Sequence, residues 1–361
     1  MSELATTDIV AQFKALDPTG AFFLGIKPGR GTTKTTVNPI GWSSVFTQPV
    51  RNLVVKGLTF DRLLGHRDNV PPVDMNFIPL GSDVASFRAG LHMKTNIALS
   101  GPAGTGKSSF VEYMAAILNR PFFVYDVNED TRPEIMLGQY LPVDGNKLEW
   151  KDGPVTKALR NEGSFFLLDE ANMASGSILA SMHRVLASRE TTLHEKDGEV
   201  IKASPGVVFS MACNALNDSN SASIYHDIKP MNRAFLDRFG IVIRTGYPKA
   251  RQEQTIILKI VKETFPDKYQ HLISTGFKNM IPKLVQVASD IRNSIDEGDM
   301  AISFSLRRTL EWSKALAYYE DLTIATKQAI LNLEESEDAK TIDVMVHTAF
   351  GTDYKRHFKD D

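Results

Sequence analysis

The sequence predicts an α/β protein in which a parallel five-stranded sheet lies between helices and is followed by an α-helical domain. Five short apolar runs alternate with helical patterns, and the strand-like runs stop after Pro248. Continuous apolar runs are typical of a parallel sheet that helices cover on both faces, and their alternation with helices indicates βαβ units. The runs are NIALS (96–100), FFVYDV (122–127), SFFLLD (164–169), GVVFSMAC (206–213) and GIVIRT (240–245).

The helical patterns fall into two groups. Between the first two runs, SSFVEYMAAILN places Phe110, Met114 and Ile117 on one face of a helix. After Pro248, leucine, isoleucine and valine recur at three- and four-residue steps, which predicts amphipathic helices. These helical segments are KARQEQTIILKIVKETF, IPKLVQVASDIRNSI, SLRRTLEWSKALAYYE and TIDVMVHTAFG. The acidic stretch LEESEDAK is expected to be a solvated loop between them.

We expect three regions along the chain. Residues 1–75 form an N-terminal region of uncertain fold, in which DIVAQFKALDPTG predicts a short helix and RNLVVKGLTF a strand-like run. Residues 76–247 form the α/β domain. Residues 248–361 form the helical domain, which has a reasonable size for a separate domain.

Composition excludes several classes of protein. Of the 361 residues, 42% are apolar and 23% charged, and the net charge of −2 gives no general attraction to nucleic acid. The single cysteine, Cys213, cannot form a disulfide framework or a thiolate metal cage within the chain. The start, MSELATTDIVAQF, has no basic segment followed by an apolar core, and no stretch reaches a membrane-spanning length. We therefore expect a cytoplasmic protein with no signal peptide and no membrane association.

The segment SGPAGTGKSS matches the phosphate-binding pattern G-x-x-x-x-G-K-[ST]. The backbone N–H groups of such a loop and the following helix N-terminus attract phosphate oxygens. Lys107 adds a full positive charge for the β- and γ-phosphates of ATP, and Ser108 offers a hydroxyl to Mg²⁺. The alternative is a glycine-rich turn with an incidental lysine, which the flanking strand and helix disfavour. The predicted nucleotide contacts are Gly101, Pro102, Ala103, Gly104, Thr105, Gly106, Lys107, Ser108 and Ser109.

A pair of carboxylates ends the apolar run FFLLDE. Adjacent residues of an extended segment point to opposite sides, so the two carboxylates can serve different purposes. Asp169 is predicted to hold the Mg²⁺ together with Ser108, and Glu170 to accept a proton from an attacking water. The alternative is a strand that ends in an acidic turn, and the phosphate loop favours the catalytic interpretation.

The run VVFSMACNAL delivers Asn214 at the carboxyl end of another strand. Its neutral amide could hold the lytic water or a γ-phosphate oxygen. The alternative is a turn residue that ends the strand. The neighbouring Cys213 is more typical of a small buried apolar residue than of a reactive thiol.

Two arginines, Arg233 and Arg238, precede the last apolar run in PMNRAFLDRFGIVIRTGY (230–247). Arg238 has no carboxylate at helical spacing. A surface arginine that binds a helix-terminal carbonyl is one interpretation of each, and a role at a phosphate is the other.

Taken together, these residues resemble those of an AAA+ ATPase. The motifs are Walker A (GPAGTGKS), Walker B (FFLLDE), sensor 1 (Asn214), an arginine-finger segment (FLDRF) and a sensor-2 segment (SFSLRR). More narrowly, the chain resembles the MoxR-like branch and the small ATPase subunit of aerobic cobaltochelatase (CobS type). That similarity spans roughly residues 90 to 352. Its longest segments are LNRPFFVYDVNEDTRPEIMLGQYLPVDGNKLEWKDGPVTKAL and HRVLASRETTLHEKDGEVIKASPGVVFSMACNA.

The resemblance implies a homo-hexameric ring with ATP at each subunit junction. Arg238 then matches the finger that reaches the neighbour's γ-phosphate, and Arg233 is the second candidate. Arg307 matches sensor 2 on the helical lid, with Arg308 as the fallback. Two hairpins are also implied, in GQYLPVDGNKLEWKDGP and TTLHEKDGEVIKA, which in the family face the pore or a partner.

The expected function is that of a Mg-ATP-hydrolysing ring ATPase that remodels or activates a partner protein. A partner with a metal-dependent adhesion domain (von Willebrand A type) is plausible, as is a role as motor subunit of a cobaltochelatase-like complex. The alternatives are a nucleic-acid motor or loader of the McrB or helicase kind, which the near-neutral charge disfavours, and a nucleotide-dependent scaffold with vestigial hydrolysis, which Glu170 and Arg238 disfavour.

Overall fold

A computed structural model describes most of residues 69–354, together with four short strands nearer the start of the chain. The gaps are residues 73, 75–76, 119, 129, 144–146, 215–230, 301 and 335. The four strands are β1 (Ile26–Pro28), β2 (Thr35–Val37), β3 (Leu53–Val55) and β4 (Leu58–Thr59), and they form one sheet in that order. The short helix predicted at DIVAQFKALDPTG lies outside the described residues.

The predicted parallel sheet is confirmed. The remaining strands are β5 (Asn96–Ser100), β6 (Phe122–Asp126), β7 (Gly138–Val143), β8 (Lys147–Asp152), β9 (Phe165–Asp169), β10 (Glu190–Leu193), β11 (Glu199–Lys202), β12 (Val208–Cys213) and β13 (Phe239–Arg244). Five of them form one sheet in the order β13-β5-β12-β9-β6, and every neighbouring pair is parallel. The carboxyl ends of these strands therefore meet at one edge, where open α/β sheets bind ligands.

The helices match the predicted alternation. They are α1 (Gly81–Met93), α2 (Lys107–Ile117), α3 (Pro133–Leu137), α4 (Pro154–Arg160), α5 (Gly176–Ser188), α6 (Arg233–Leu236), α7 (Ala250–Thr264), α8 (Tyr269–Ser274), α9 (Phe277–Glu297), α10 (Leu306–Tyr319), α11 (Leu322–Ala329) and α12 (Ser336–Phe350). Among the described residues, no helix combines the length and the apolar character that crossing a bilayer requires.

Side chains of the sheet alternate between two hydrophobic cores. Ile97 and Leu99 of β5 pack in one core with residues of α1 and α2. Ala98, between them, lies in the other core with residues of α3, α4 and α5. Because successive strand residues point to opposite faces, a strand with helices on both faces is apolar at most positions. This is why the runs read as continuous apolar segments.

Both predicted hairpins are present. β7 pairs antiparallel with β8 between α3 and α4, and β10 pairs antiparallel with β11 between α5 and β12. The second hairpin turns at Asp197 and Gly198, whose φ values are 51° and 72°. Such positive φ values favour glycine and small polar residues. The tip of the first hairpin, residues 144–146, is not described.

Two compact units divide the chain. One contains the five-stranded sheet and its helices up to Thr245, and the other contains Pro102–Thr105 and the helices after Gly246. The second unit has its own core, in which Trp312 is fully buried and donates from Nε1 to the Thr326 hydroxyl at 3.1 Å. A buried indole needs such a partner for its N–H group.

One expectation for the helical region was wrong. The acidic stretch LEESEDAK is not entirely a loop, because α12 begins within it at Ser336. Glu337 and Asp338 lie in the first turn of this helix. Negative charge there is stabilised by the positive end of the helix dipole, so these acidic residues favour the helix start.

Candidate active site

The phosphate loop leaves the carboxyl end of β5 and enters α2. A Cβ atom at Gly101 would lie 2.1 Å from the carbonyl oxygen of Thr245, so this position requires glycine unless the backbone moves. Gly104 and Gly106 have φ values of 70° and 83°, in the left-handed region that glycine adopts without steric cost. The loop therefore has the tight geometry that turns backbone N–H groups toward an anion.

Lys107 begins α2 and is buried, with 7% of its surface exposed. Its Nζ atom donates to the carbonyl oxygen of Gly101 at 2.8 Å and to Oδ1 of Asn214 at 3.0 Å. Burial lowers the pKa of Lys107, and the negative charges of Glu170 and Asp169 oppose that shift. A buried cation gains strongly from an anionic phosphate, because the surrounding medium screens the attraction less than water does.

Ser108 and Asp169 lie together, because the Ser108 hydroxyl donates to Oδ2 of Asp169. The other carboxylate oxygen, Oδ1, accepts from the backbone N–H of Glu170 at 2.9 Å. A hydroxyl beside a carboxylate suits Mg²⁺, which proteins hold through one or two such oxygens together with substrate phosphates and water. Among the described residues, no group of three or more metal-binding side chains could hold a metal ion alone. The Ser108 hydroxyl and the Asp169 carboxylate fit the donors that proteins supply to nucleotide-bound Mg²⁺.

Glu170 follows the end of β9 in a left-handed backbone conformation, with a φ of 49°. Non-glycine residues are held there at a cost, and such strain is concentrated at functional sites. Burial raises the pKa of Glu170, the charges of Asp169 and Asp126 raise it further, and Lys107 opposes the shift. A carboxylate with a raised pKa is a stronger base, which suits removal of a proton from water.

Asp126 is a site residue that the sequence analysis missed. It ends β6 and pairs in register with Asp169 of β9. Its charge contributes to the raised pKa of Glu170. The signal was present in the run FFVYDV, because its aspartate ends an apolar strand in the same way as Asp169.

Asn214 links the Lys107 ammonium group to the Glu170 carboxylate. Its Oδ1 accepts from Lys107, and its Nδ2 donates to Oε2 of Glu170 at 3.1 Å. The orientation of the amide follows from these partners, since only oxygen can face an ammonium group and only nitrogen a carboxylate. Cys213 beside it is buried, and burial raises the pKa of its thiol to about 11. It is therefore a protonated apolar residue at neutral pH, as the sequence analysis favoured.

The two candidate arginine-finger residues lie near the amino ends of the parallel strands, opposite the ends that carry the phosphate loop and the carboxylates. Arg233 begins α6, and Arg238 immediately precedes β13. Both are exposed, and within the described part of the chain neither guanidinium has a carboxylate partner. Phe239 pairs with Asn96 at the amino end of β5, whereas the phosphate loop leaves its carboxyl end. Five residues of strand separate these ends, a length of about 16 Å.

The candidate sensor-2 residues begin α10. Arg308 is half-buried and donates from Nη1 to the carbonyl oxygen of Ala329 at 3.3 Å. Arg307 is exposed. Since Arg308 is occupied within the helical unit, Arg307 is the more available of the two for a phosphate.

Comparison with known proteins matches residues 96–239 to the AAA domain (dynein-related subfamily). The chain is 31% identical over 183 residues to the protein NorQ of Paracoccus denitrificans, a match that covers 51% of this chain and 64% of NorQ. It is 30% identical over 233 residues to an uncharacterized protein of Staphylococcus epidermidis, covering 62% and 84% of the two chains. It is 25% identical over 289 residues to the aerobic cobaltochelatase subunit CobS of a Sinorhizobium species, covering 79% and 84%.

The chain thus spans just under two thirds of NorQ and most of the other two relatives. The matched AAA domain contains β5, the phosphate loop, the two carboxylates after β9, Asn214 and the segment before β13. These matches and this site geometry support the assignment of the chain to the AAA+ ATPases of the MoxR-like branch, a family that uses ATP with Mg²⁺.

Proposed function

We propose that the protein hydrolyses Mg-ATP in a ring of identical subunits and uses the cycle to remodel or activate a partner protein. The observation that carries this proposal is the separation within one chain of the two halves of the catalytic set. Lys107 and Glu170 lie at the carboxyl edge of the sheet, and Arg238 lies at its amino edge, about 16 Å of strand away. An arginine there is better placed for a neighbour's nucleotide than for its own.

Each residue of the site has a defined part in this mechanism. Lys107 would bind the β- and γ-phosphates, and Ser108 and Asp169 would hold a Mg²⁺ that neutralises phosphate charge. Glu170 takes the proton of the attacking water, since its raised pKa makes it a competent base. Asn214 links Glu170 and Lys107 and holds them in fixed relative positions. Its predicted contact with water or phosphate requires one of these two hydrogen bonds to open.

Arg238 of the neighbouring subunit completes the site by neutralising charge on the transferred phosphoryl group. Its guanidinium is permanently charged and can meet two phosphate oxygens at once. In GTPases such a finger raises turnover by about 10³–10⁵-fold. Arg233, five residues earlier on α6, is the second candidate for the same junction. Arg307 is the proposed sensor in the subunit's own helical unit.

The proposed assembly is a homo-hexamer, and the proposed substrate is a protein. CobS is named as a subunit of a chelatase, which supports a motor that works on a partner. A partner with a von Willebrand A type domain, or a chelatase-like complex, is the specific form of this proposal. A nucleic-acid motor is not favoured, because the net charge of −2 provides no excess of cations for a phosphate backbone.

Mixed rings test the shared site. Lys107→Ala subunits lack a working phosphate loop but keep the finger, and Arg238→Ala subunits have the reverse defect. Each variant alone should hydrolyse little ATP. In random equal mixtures about a quarter of the head-to-tail junctions pair an intact loop with an intact finger. Phosphate release should then recover to roughly that fraction of the wild-type rate, whereas no recovery in confirmed mixed rings would overturn the shared site.

A further inference from the structure

Asn96 is a buried polar residue that the mechanism above does not use. It is the first residue of β5, and 3% of its surface is exposed. Its Nδ2 atom donates to the backbone carbonyl oxygen of Arg238 at 2.7 Å and to that of Leu186 in α5 at 3.1 Å. Both partners are acceptors, so the amide NH₂ group must face them. Its Oδ1 has no hydrogen-bond partner among the described residues.

The preceding residue holds the same segment. The Thr95 hydroxyl oxygen accepts from the backbone N–H of Gly240 at 3.2 Å. The pairing of β13 with β5 shifts register between Phe239 and Ile241, so Gly240 is the extra residue of a bulge. A Cβ atom at Gly240 would lie 2.3 Å from the Thr95 hydroxyl oxygen. The backbone after Arg238 is therefore fixed against the start of β5.

We propose that Asn96 is a positioning residue for the arginine finger. This inference rests on the proposed function, in which Arg238 acts on the neighbour's ATP. The side chain of Arg238 is exposed and has no partner of its own in the described chain, so its direction depends on its backbone. Asn96 fixes that backbone through the Arg238 carbonyl.

Asn96 begins the strand that leads into the phosphate loop. The same strand ends at Ser100, next to the phosphate loop. A buried five-residue strand thus joins the subunit's own nucleotide loop to the finger that it offers to the next subunit. The bond to Leu186 adds α5, which follows the Glu170 segment along the chain.

Substitution of Asn96 should separate turnover from nucleotide binding. In Asn96→Asp the side chain keeps its shape, but a carboxylate oxygen faces the two carbonyl oxygens and repels them. We expect kcat to fall by about 10²-fold, the cost of misplacing a catalytic group by about 1 Å. ATP affinity should stay within about twofold of wild type, because the phosphate loop is intact, a split that general destabilisation would not produce.

Mixtures in which only one of the two variants can supply Arg238 test the position of the finger directly. Asn96→Asp subunits mixed with Lys107→Ala subunits should recover activity, because Lys107→Ala supplies a well-placed Arg238 to an intact site. Arg238→Ala subunits mixed with the double variant Asn96→Asp/Lys107→Ala should stay inactive, because the only finger present is misplaced. The reference is Arg238→Ala with Lys107→Ala, whose recovery tests the proposed function itself.

Ser210→Ala is the matched control. Ser210 is also buried on the same sheet and donates to a backbone carbonyl, that of Phe166 at 2.7 Å, with no link to Arg238. Subunits that carry Ser210→Ala should donate Arg238 normally in the same mixtures. If the reference pair recovers and the Asn96→Asp/Lys107→Ala subunits donate equally well, the inference is wrong while the proposed function stands. Asn96→Ala, which removes both hydrogen bonds without adding charge, gives the same readout if Asn96→Asp fails to assemble.

Discussion

The buried ion pair of the helical unit allows a stability prediction with a defined magnitude. Arg292 donates from Nη1 and Nη2 to the two carboxylate oxygens of Glu253, both at 2.9 Å. It also donates to the Thr309 hydroxyl at 2.7 Å and to the Phe304 carbonyl at 3.1 Å, and its guanidinium lies 4.2 Å from the centre of the Tyr247 ring. The exposed fractions of the two charged side chains are 8% and 2%. Four hydrogen bonds therefore hold the guanidinium of this pair, which is almost free of solvent screening.

Arg292→Met would leave the Glu253 carboxylate buried without its cation. Removal of one partner of such a pair costs about 3–5 kcal/mol, equivalent to roughly 10²–10⁴ in an opening equilibrium. Amide hydrogen exchange of α7 and α9, which carry the two residues, should accelerate by about that factor in the full-length protein. The matched control is Lys314→Met, which breaks the exposed pair with Glu311 on α10 and should change stability by less than about 1 kcal/mol.

The double variant Arg292→Met/Glu253→Leu sharpens the test. Replacement of both charges by apolar side chains is often close to neutral, so exchange should return most of the way to the wild-type rate. Equal amide exchange rates in Arg292→Met and Lys314→Met would refute the reasoning, because the loss of a buried ion pair would then cost no more free energy than the loss of an exposed one.

The candidate active site yields three further predictions. Glu170→Gln should lower turnover by about 10²–10⁴-fold while ATP still binds, because an amide cannot accept the proton of water; a parallel loss of ATP affinity in a binding titration would contradict this role. Asp126→Asn removes a negative charge that raises the pKa of Glu170, and since the base works only above its pKa, the acid limb of the kcat–pH profile should move to lower pH; an unmoved limb would exclude the coupling. Gly101→Ala places a Cβ atom 2.1 Å from the Thr245 carbonyl oxygen and should weaken ATP binding by roughly tenfold, the equivalent of about one displaced charge-assisted hydrogen bond. Gly176→Ala, where a Cβ atom meets nothing within 4 Å, is its control and should bind ATP normally.

Local patterns were sufficient for the sheet and for most of the helices. The central strands β5, β9 and β12 could be predicted because they are buried along nearly their whole length, which leaves a continuous apolar run in the sequence. The outer strands β6 and β13 carry apolar runs as well, although Val124 and Val242 are exposed. The start of α12 could not be predicted, because LEESEDAK is mostly polar. The helix dipole favours Glu337 and Asp338 in its first turn, and Ala339 is buried in the core of the helical unit. Apolar periodicity carries no information about such a segment.

The residues of the candidate site also fall into those that sequence spacing reveals and those that it does not. Lys107 and Ser108 are recognisable from spacing, since the phosphate loop is one short contiguous segment. Asp126 and Asn96 are not, because their effects depend on residues far along the chain: Asp126 acts through its register with Asp169, and Asn96 through the Arg238 carbonyl. Pairing between strands brings these groups together, and no sequence spacing records it.

The sequence by itself determined the chemistry of this protein, because the phosphate loop, the Asp169–Glu170 pair and the strand-ending Asn214 are each encoded by adjacent residues whose local geometry follows from their types. Only the tertiary structure decided how these groups are arranged. It joins Lys107 to Glu170 through Asn214 and places Arg238 at the opposite edge of the sheet. The reason is physical: parallel strands bring their carboxyl ends to one edge and their amino ends to the other, so the order of strands determines which charges meet.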